Sequence, residues 1–501
     1  MRRQSTTPSV LGAPIAHGAI LAGVLAALLA IRLLALRTNA TELFFDEAQY
    51  WTWSLEPAFG YYSKPPLIGW IIGLTTGVCG DSPFCIRLPS AVIHTATAGV
   101  IYLTGRRHLS AAAGFWAALM FATLPGVSVS AGIISTDVPL LFCWAVALLG
   151  FLELRAGGGR GAALLLGIGI GFGLNAKYAM AFLPLSMLVA ASVDGPSRRL
   201  FGRTDVWAGL FLAGVLILPN LVWNLTNGFA TFAHTADNAK WGGSLLHIGK
   251  GLEFVGAQFG VFGPILLVVL ILTAWRAWRE GLPDVEKVLA CFTLPVLLLI
   301  TAQGFVSRAH ANWAATAYVA GSLLVASELL RHAGRRWLAA SLVVNLTVLA
   351  AVIAGTSAAG RVRLPFVGDP LHRMLGWAGI ADATRQKLAE ARAAGTPIAS
   401  VVTTDRSLTA ELLYYMRGEP TPVLALRNDP GRPHDHYELT RAFTGQAHEP
   451  ALLVSHVDVV AQKKLAGKFK RLQPLGTRDV AAGSFHTRRI HFYLLSGYVH
   501  R

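Results

Sequence analysis

Two neighbouring carboxylates, Asp46 and Glu47, lie in a polar segment that is rich in tyrosine and tryptophan. A carboxylate within about 3 Å of a hydroxyl group can accept its proton, so this pair is a candidate for general-base chemistry. The pair also fits a structural role, because Asp is a favoured helix N-cap and Glu complements the dipole of a helix N-terminus. Both interpretations stay open at the level of the sequence.

Basic residues and a second acidic residue occur beside other apolar runs of the sequence. Lys64 precedes the Pro65-Pro66 turn, and Asp137 follows Ser135 and Thr136 at the start of an apolar run. A lysine at such a place either binds an anion or extends its ammonium group to lipid headgroups. The same alternatives apply to Lys177. Arg308 and His310 either bind a phosphate or sugar or belong to an interfacial anchor with Trp313, and His234 either binds an anion or ends a helix.

The elements that position these residues follow from composition. The chain has 501 residues, of which 53 % are hydrophobic and 14 % are charged. This composition excludes an ordinary soluble enzyme and a disordered chain, and four cysteines are too few for a disulfide scaffold. The net charge of +16 does not indicate nucleic-acid binding, because the basic residues of the first 360 positions lie in short clusters between apolar runs. We therefore predict an all-α polytopic membrane protein.

A bilayer core accommodates about 20 apolar residues of a helix, and this length predicts about 11 to 13 spans. Eleven spans are predicted near 15–37, 86–105, 111–131, 138–154, 161–175, 178–193, 206–223, 253–275, 287–303, 312–330 and 337–356. The stretch 65–80 is shorter and contains two prolines. If it lies in the external interface, the basic clusters between spans fall on the side of Arg2 and Arg3, as the positive-inside rule favours. Loop 38–65 and the tail are then external.

The tail after residue 360 has a different pattern. Its apolar runs are too short to span and predict strands at Ile398–Thr403, Pro422–Leu426, Ala451–Ser455 and Ile490–Leu495, with helices at Leu408–Arg417 and Val457–Phe469. We predict a transmembrane domain at 1–360 and a small external α/β domain at 361–501. Cys79 and Cys85 flank a turn and are candidates for a disulfide, although spacing alone does not establish one.

Several segments resemble bacterial membrane glycosyltransferases of the dolichyl-phosphate-mannose–protein mannosyltransferase type, which include the lipid A aminoarabinose transferases. The resemblance runs in order from about residue 40 to 330. It is carried by Phe45–Trp51, Tyr61–Leu67, Ser135–Leu140, Asn220–Asn224 and Thr231–Thr235.

The resemblance implies a C-type glycosyltransferase fold, a site on the external face and a sugar donor carried on a polyprenyl phosphate, with inversion at the sugar. It makes Asp46 the general base, Asp137 a second acidic position and Lys64 the lysine before the proline turn. Some aminoarabinose transferases have a metal-binding Glu directly before this lysine, whereas this chain has Ser63. No His/Cys cluster has zinc spacing, so we predict no metal and no other cofactor.

The resulting site hypothesis assigns three groups of residues. Asp46 is the base, and Glu47 or Asp137 would stabilise positive charge on the sugar. Lys64, Arg308, His310 and His234 would bind the donor phosphate. Tyr61, Tyr62, Trp223, Asn224 and Lys177 would contact substrate. The expected partners are a polyprenyl-phosphate sugar, membrane lipids and an acceptor that is lipid A, another glycan or a protein.

Two other functions fit part of the pattern. A secondary transporter or flippase of lipid-linked sugars would place ionisable groups near the bilayer midplane, whereas here the acids lie towards one face. A non-catalytic receptor would use the tail as a binding module. We predict instead a monomeric enzyme of the bacterial inner membrane, with its site and tail on the periplasmic side and no nucleic-acid partner.

Overall fold

The computed structural model of the protein describes residues 14–239, 246–332, 334–363, 368–427, 431–461, 465 and 467–499. Arg2 and Arg3 lie outside the described residues. The chain folds into two compact units. The first comprises Met1–Leu36, Arg87–Thr226 and Thr235–Val352, and the second comprises Arg37–Ile86, Asn227–His234 and Ile353–Arg501.

Twenty α-helices lie within the described residues. They are α1 (Pro14–Thr38), α2 (Phe45–Leu55), α3 (Leu67–Cys79), α4 (Pro83–His108), α5 (Ala111–Thr123), α6 (Pro125–Ser130), α7 (Asp137–Arg155), α8 (Arg160–Ala176), α9 (Phe182–Val193), α10 (Gly195–Leu200), α11 (Thr204–Thr226), α12 (Ala230–Ala239), α13 (Ile248–Phe262), α14 (Pro264–Glu280), α15 (Asp284–Val306), α16 (Ala317–Arg331), α17 (Arg335–Ser357), α18 (Trp377–Ala393), α19 (Arg406–Tyr415) and α20 (His436–Thr440). Short 3-10 turns lie at Tyr178–Ala181, Ala311–Ala314, His372–Met374 and Gln446–His448.

The prediction of a helical polytopic membrane protein with a small sheet domain is confirmed. Within the described residues, six helices are long and apolar enough to span a bilayer, namely α1, α4, α7, α11, α15 and α17. A seventh span is possible if α13 and α14, which meet at 112°, count as one. They bend at Gly263, which has a φ of 89°, a backbone conformation that favours glycine. The next residue, Pro264, has no N–H to continue a helix.

This number is lower than the predicted 11 to 13 because several apolar runs form helices shorter than a bilayer core. The shorter apolar helices are Leu67–Cys79, Ala111–Thr123, Arg160–Ala176 and Tyr178–Val193. Pro125 follows α5 closely, and Lys177 adopts an extended conformation directly after α8. An apolar run read from composition alone does not show such breaks.

Small residues allow the helices of the first unit to approach closely. A Cβ atom added at Gly167 of α8 would collide with the backbone carbonyl of Gly209 in α11, and one added at Gly209 would collide with that of Ala163. Membrane helices pack closely through small residues in this way. These contacts pack the N-terminal half of α8 against α11, and near the C-terminal end, where Lys177 emerges, Asn175 Nδ2 donates to the carbonyl of Leu216 at 2.9 Å.

The second unit is built on a five-stranded sheet with the order β2-β1-β3-β5-β4. The strands are β1 (Ser400–Thr403), β2 (Val423–Ala425), β3 (Ala451–Ser455), β4 (Phe469–Ala481) and β5 (Thr487–Tyr498). β1 pairs in parallel with β2 and β3, whereas β5 is antiparallel to β3 and β4. Segment 37–86 belongs to the same unit, and in it Cys79 and Cys85 form a disulfide.

Most of the strands and helices predicted for the tail are confirmed. All four predicted strands are present, and the helix predicted at Leu408–Arg417 is α19. The helix predicted at Val457–Phe469 is wrong where the chain is described. Asp458 Oδ1 accepts hydrogen bonds from the N–H groups of Val460 and Ala461 in a turn, and Phe469 begins β4. Residues 462–464 and 466 of that range lie outside the described residues.

Candidate active site

Helix α2 carries the two acids of the first loop in its first turn. The Glu47 side chain is buried, and its Oε2 accepts a hydrogen bond from the N–H of Phe44 at 2.9 Å. This contact satisfies a backbone donor that has no carbonyl partner within the helix, as a helix N-terminus requires. Glu47 therefore has the structural role that the sequence left open, and its predicted charge-stabilising role stays a prediction.

Asp46 contacts an arginine from the tail. Arg406 Nη1 donates to Asp46 Oδ1 at 2.9 Å and to Gln49 Oε1, one turn further along α2, at 2.7 Å. In the described part of the chain, the other carboxylate oxygen of Asp46 has no hydrogen-bond donor, and 37 % of the side chain is exposed. Burial lowers the pKa of Arg406, but the charge of Asp46 and the hydrogen bond to it raise the pKa further, so that its net shift is upward.

Helix α19 holds Arg406 at this position. Asp405 accepts hydrogen bonds from the N–H groups of Ser407 and Leu408, so the helix begins at Arg406. At the other end of α19, the hydroxyl of Tyr415 accepts from the N–H of Leu43 at 3.1 Å. Both ends of α19 are thus fixed to the loop that carries Asp46.

An aromatic cluster contains the predicted substrate residues Tyr61 and Tyr62. Tyr61 stacks on Trp53 at 4.4 Å, and its hydroxyl donates to the carbonyl of Trp53 at 2.7 Å. Burial raises the pKa of the Tyr61 phenol to about 12, so it stays a donor. The Tyr62 hydroxyl donates to the carbonyl of Pro433 at 2.8 Å, and its ring meets His234 edge-on at 5.4 Å. These contacts give both tyrosines a packing role, and substrate contact stays a prediction.

Lys64 lies in the turn that connects this cluster to α3. Its carbonyl accepts from the N–H of Tyr61 at 3.1 Å, and its side chain is half-buried. Gln49, which also accepts a hydrogen bond from Arg406, donates from its Nε2 to the hydroxyl of Ser63 at 3.4 Å. Ser63 directly precedes Lys64. The turn with Lys64 and the first two turns of α2 are therefore linked by hydrogen bonds.

In the first unit, Asp137 is buried at the start of α7 and both of its oxygens are occupied. Lys177 Nζ donates to Oδ1 at 2.7 Å, and Asn312 Nδ2 donates to Oδ2 at 2.5 Å. Side chains of the first unit thus engage both oxygens of this carboxylate. The geometry therefore favours Asp137 as a fixed charge that orients Lys177.

The segment that follows Lys177 is held by a second polar network. The hydroxyl of Tyr178 donates to Asn220 Oδ1 at 2.7 Å and accepts from Asn224 Nδ2 at 3.2 Å. Asn224 is fully buried and also donates to the carbonyl of Asn220. The predicted substrate residue Asn224 thus fixes the chain beside Lys177, whereas its neighbour Trp223 is half-buried.

The other predicted phosphate ligands of the first unit lie after α15. Arg308 Nη2 donates to Asn238 Oδ1 at 3.2 Å, and the exposed His310 packs against Trp313 at 5.3 Å. Their predicted role in phosphate binding stays a prediction.

Asp137 and Asn312 also line a cavity of about 350 Å³ in the first unit. Most of its lining is apolar, from residues such as Leu124, Val127 and Val261. A concave site with a mainly apolar wall and a few polar groups is typical of small-molecule binding sites.

Among the described residues, no group of three or more His, Cys, Asp or Glu side chains could hold a metal ion. At the position before Lys64, the hydroxyl of Ser63 accepts a hydrogen bond from Gln49 Nε2. The residues present do not fit a metal site there, and the expected absence of a metal stays a prediction.

Sequence reasoning did not identify Arg406. It lies 360 positions from Asp46, and no local pattern connects the two residues. The nearest signal is Asp405, which marks the start of a helix, but a cap signal does not show what that helix contacts.

Comparison with known proteins adds to this geometry. Residues 63–223 match the family described as dolichyl-phosphate-mannose-protein mannosyltransferase. The lipid A galacturonosyltransferase RgtD of Rhizobium johnstonii is 39 % identical over 408 residues, which cover 81 % of this chain and 84 % of that protein. The lipopolysaccharide core galacturonosyltransferase RgtA of the same organism is 31 % identical, over 48 % of this chain and 49 % of RgtA.

A solved structure shares the fold. The crystal structure of ArnT from Cupriavidus metallidurans bound to undecaprenyl phosphate superposes with a TM-score of 0.65. The match covers 94 % of this chain and 97 % of ArnT at 15 % sequence identity.

Proposed function

Since this chain belongs to the bacterial membrane glycosyltransferases of the dolichyl-phosphate-mannose–protein mannosyltransferase type, we propose that it transfers a galacturonosyl group from a polyprenyl phosphate to lipid A. The likeness to RgtD over most of both chains supports this sugar and this acceptor. We further propose that the reaction takes place on the periplasmic side of the inner membrane, as the distribution of basic loops favours.

Asp46 is the general base in this proposal. Arg406 holds one carboxylate oxygen, which fixes the orientation of the group. The second oxygen is the one that meets the acceptor hydroxyl. This geometry is the observation that carries the assignment, because a catalytic base needs both a fixed direction and an available lone pair. Asp137 is the weaker candidate, since each of its oxygens already accepts a hydrogen bond from Lys177 or Asn312.

The reaction is a single displacement at the anomeric carbon. Asp46 accepts the proton of the acceptor hydroxyl as its oxygen forms the new bond to C1. The bond between C1 and the phosphate oxygen breaks, and the polyprenyl phosphate leaves with the electron pair. Attack from the side opposite to the phosphate inverts the configuration.

The leaving phosphate gains negative charge, and cations near it would stabilise the transition state. Lys64, His234, Arg308 and His310 stay candidates for this role. Lys177 is a further candidate. Asn312 holds the Asp137 carboxylate, which in turn orients the Lys177 ammonium group, and part of the lysine side chain is exposed.

The cavity of the first unit accommodates part of a lipid chain in this proposal. Its apolar lining would remove the apolar surface of an isoprenoid chain from water, which is favourable. A bulky substitution in this lining, such as Val127→Trp, should raise the KM for long-chain donors more than for short-chain donors.

Reconstitution tests the function. We expect the full-length protein in lipid nanodiscs, given polyprenyl-phosphate galacturonate and lipid A, to form lipid A that is heavier by one uronosyl residue, as seen by mass spectrometry. Absence of this product, with intact folded protein, would contradict the proposal. A flippase would instead move the donor between the leaflets of a proteoliposome without forming product.

A further inference from the structure

Two arginines from separate parts of the tail lie over the aromatic pair that directly precedes Asp46. The Phe44 and Phe45 rings are 4.1 Å apart. The Arg373 guanidinium carbon lies 5.2 Å from the Phe44 centroid and 5.6 Å from that of Phe45, and the Arg406 guanidinium carbon lies 4.9 Å from the Phe45 centroid. Two cations thus lie over the aromatic pair that adjoins the predicted base.

Both guanidinium groups keep N–H donors that have no acceptor among the described residues. Arg406 contacts Asp46 and Gln49 through Nη1 only, so within the described ranges its Nε–Nη2 edge has no hydrogen-bond acceptor. The Arg373 guanidinium likewise has no acceptor there, and this residue is exposed. The Nε–Nη2 edge presents two parallel N–H groups, which match the two oxygens of a carboxylate.

The local charge favours an anion. Asp46 pairs with Arg406, whereas Arg373 forms no ion pair among the described residues and so carries a positive charge without a paired acid. A neutral sugar leaves this charge unmatched, whereas a sugar with a carboxylate balances it. The acceptor hydroxyl must contact Asp46 as it attacks C1, so the C5 carboxylate of a uronosyl group lies within about one sugar ring of the two arginines.

We propose that Arg406 and Arg373 bind the carboxylate of the transferred sugar and so make the enzyme selective for uronosyl over neutral hexosyl donors. This inference rests on the proposed function. Arg406 has two tasks in it, since one edge orients Asp46 and the other binds substrate. Arg373 has only the second task.

The test compares kcat/KM for two donors with the same polyprenyl phosphate, one bearing galacturonate and one bearing galactose, with the full-length protein in nanodiscs. A charge-assisted bidentate contact predicts that the wild-type protein prefers the uronosyl donor by about 100-fold. We expect Arg373→Gln and Arg406→Gln each to reduce this preference to about 10-fold or less, with Arg406→Lys intermediate.

Arg417→Gln is the matched control, because Arg417 also stacks on an aromatic ring of this unit, Tyr414, at 4.4 Å. We expect it to keep the wild-type preference. Thermal unfolding of each variant verifies that it is folded. Because the preference is a ratio within one variant, a general loss of rate does not change it.

Three outcomes would overturn the inference. If both arginine variants kept the wild-type preference for the uronosyl donor, the arginines would not bind the sugar carboxylate. An equal loss of rate with both donors would assign Arg406 a positioning role only. If the variants instead lose discrimination between lipid A with and without its phosphate groups, the anion belongs to the acceptor. A wild-type protein that does not use the uronosyl donor at all would contradict the proposed function itself.

Discussion

Two aspartates of this protein show how surroundings decide what a carboxylate can do. Asp46 is half-exposed and gives one oxygen to Arg406, whereas Asp137 is buried and gives both oxygens to Lys177 and Asn312. The first arrangement leaves a lone pair for a substrate proton. The second makes a structural charge pair.

The Asp137–Lys177 pair allows a prediction at this scale. Lys177→Met leaves the buried Asp137 without its countercharge and should lower the free energy of unfolding by about 3 kcal/mol. The double variant Asp137→Asn/Lys177→Met should be more stable than this single variant. Thermal unfolding in detergent checks both, with Lys387→Met, which breaks an exposed pair with Glu390, as control. A double variant that is less stable than Lys177→Met would contradict the prediction.

His436 allows a prediction about pH. Its ring is buried against Trp53 and Tyr61, and burial, together with the charge of Arg441, lowers its pKa from 6.5 to about 3. The unfolded chain therefore binds a proton below pH 6.5 that the folded chain does not, so stability falls as the pH decreases from 6.5 towards 3.

Urea unfolding, followed by tryptophan fluorescence between pH 4.5 and pH 7 (a range of about two pH units around the titration of histidine), measures this loss. We expect His436→Gln to flatten the pH dependence of the unfolding midpoint. The exposed His486, changed to Gln, is the control and should keep the wild-type slope. Equal slopes in His436→Gln and wild type would contradict the assignment.

At the scale of elements, the tail helices are fixed by residues of the first loop. Glu42 accepts hydrogen bonds from the N–H groups of Trp377 and Ala378, at 2.6 and 3.3 Å, and so caps α18 from a distant part of the sequence. Tyr414 of α19 donates to the carbonyl of Asp81 at 2.7 Å. The tail and the loop thus form one folded unit.

Removal of this cap should loosen α18. Glu42→Ala leaves two buried helix N–H groups without acceptors, at a cost of about 1 to 2 kcal/mol. Hydrogen exchange should show faster exchange at the first turn of α18. Glu56→Ala, which removes an exposed ion pair with Arg441 in the same unit, is the control. Unchanged exchange at Trp377 and Ala378 in Glu42→Ala would contradict this role.

The sequence predicts some of these elements well and others poorly, for physical reasons. Buried strands such as β3 are continuous apolar runs and were predicted correctly. β4 was missed because most of its residues are exposed and its pairing with β5 is irregular between Pro474 and Thr477. The residues directly before α18 provide no capping side chain. The cap is Glu42, which is distant in the sequence, so no local signal marks the start of this helix. Helix breaks inside apolar runs reduced the number of long spans.

The candidate site was also predicted only in part. Asp46 and Lys64 were assigned from segments of one loop that resemble the family's motifs, and their roles stay predictions. Arg406 and Arg373 were not assigned, since only the folded second unit brings them to Phe45. Contacts between residues this far apart depend on the whole fold, and no local pattern of charge or hydropathy encodes them.

At the scale of the whole molecule, the predicted membrane topology can be tested with single cysteines. The two free cysteines, Cys143 and Cys291, are buried, so the background labelling should be low. We expect Ser484→Cys in the tail to react with an impermeant maleimide in intact spheroplasts. Ala156→Cys, in a loop predicted to be cytoplasmic, should react only after the membrane is permeabilised. The reverse pattern would contradict the periplasmic placement.

The most direct test of the enzyme mechanism is single-turnover transfer by Asp46→Asn. Loss of a general base predicts a fall of at least about 100-fold in the rate of sugar transfer, with donor affinity within about threefold of wild type. Asp479→Asn, which disrupts the exposed Asp479–Arg489 ion pair of the same unit, is the control and should transfer at the wild-type rate. Sugar transfer by Asp46→Asn at a rate close to that of wild type would contradict the central role of Asp46.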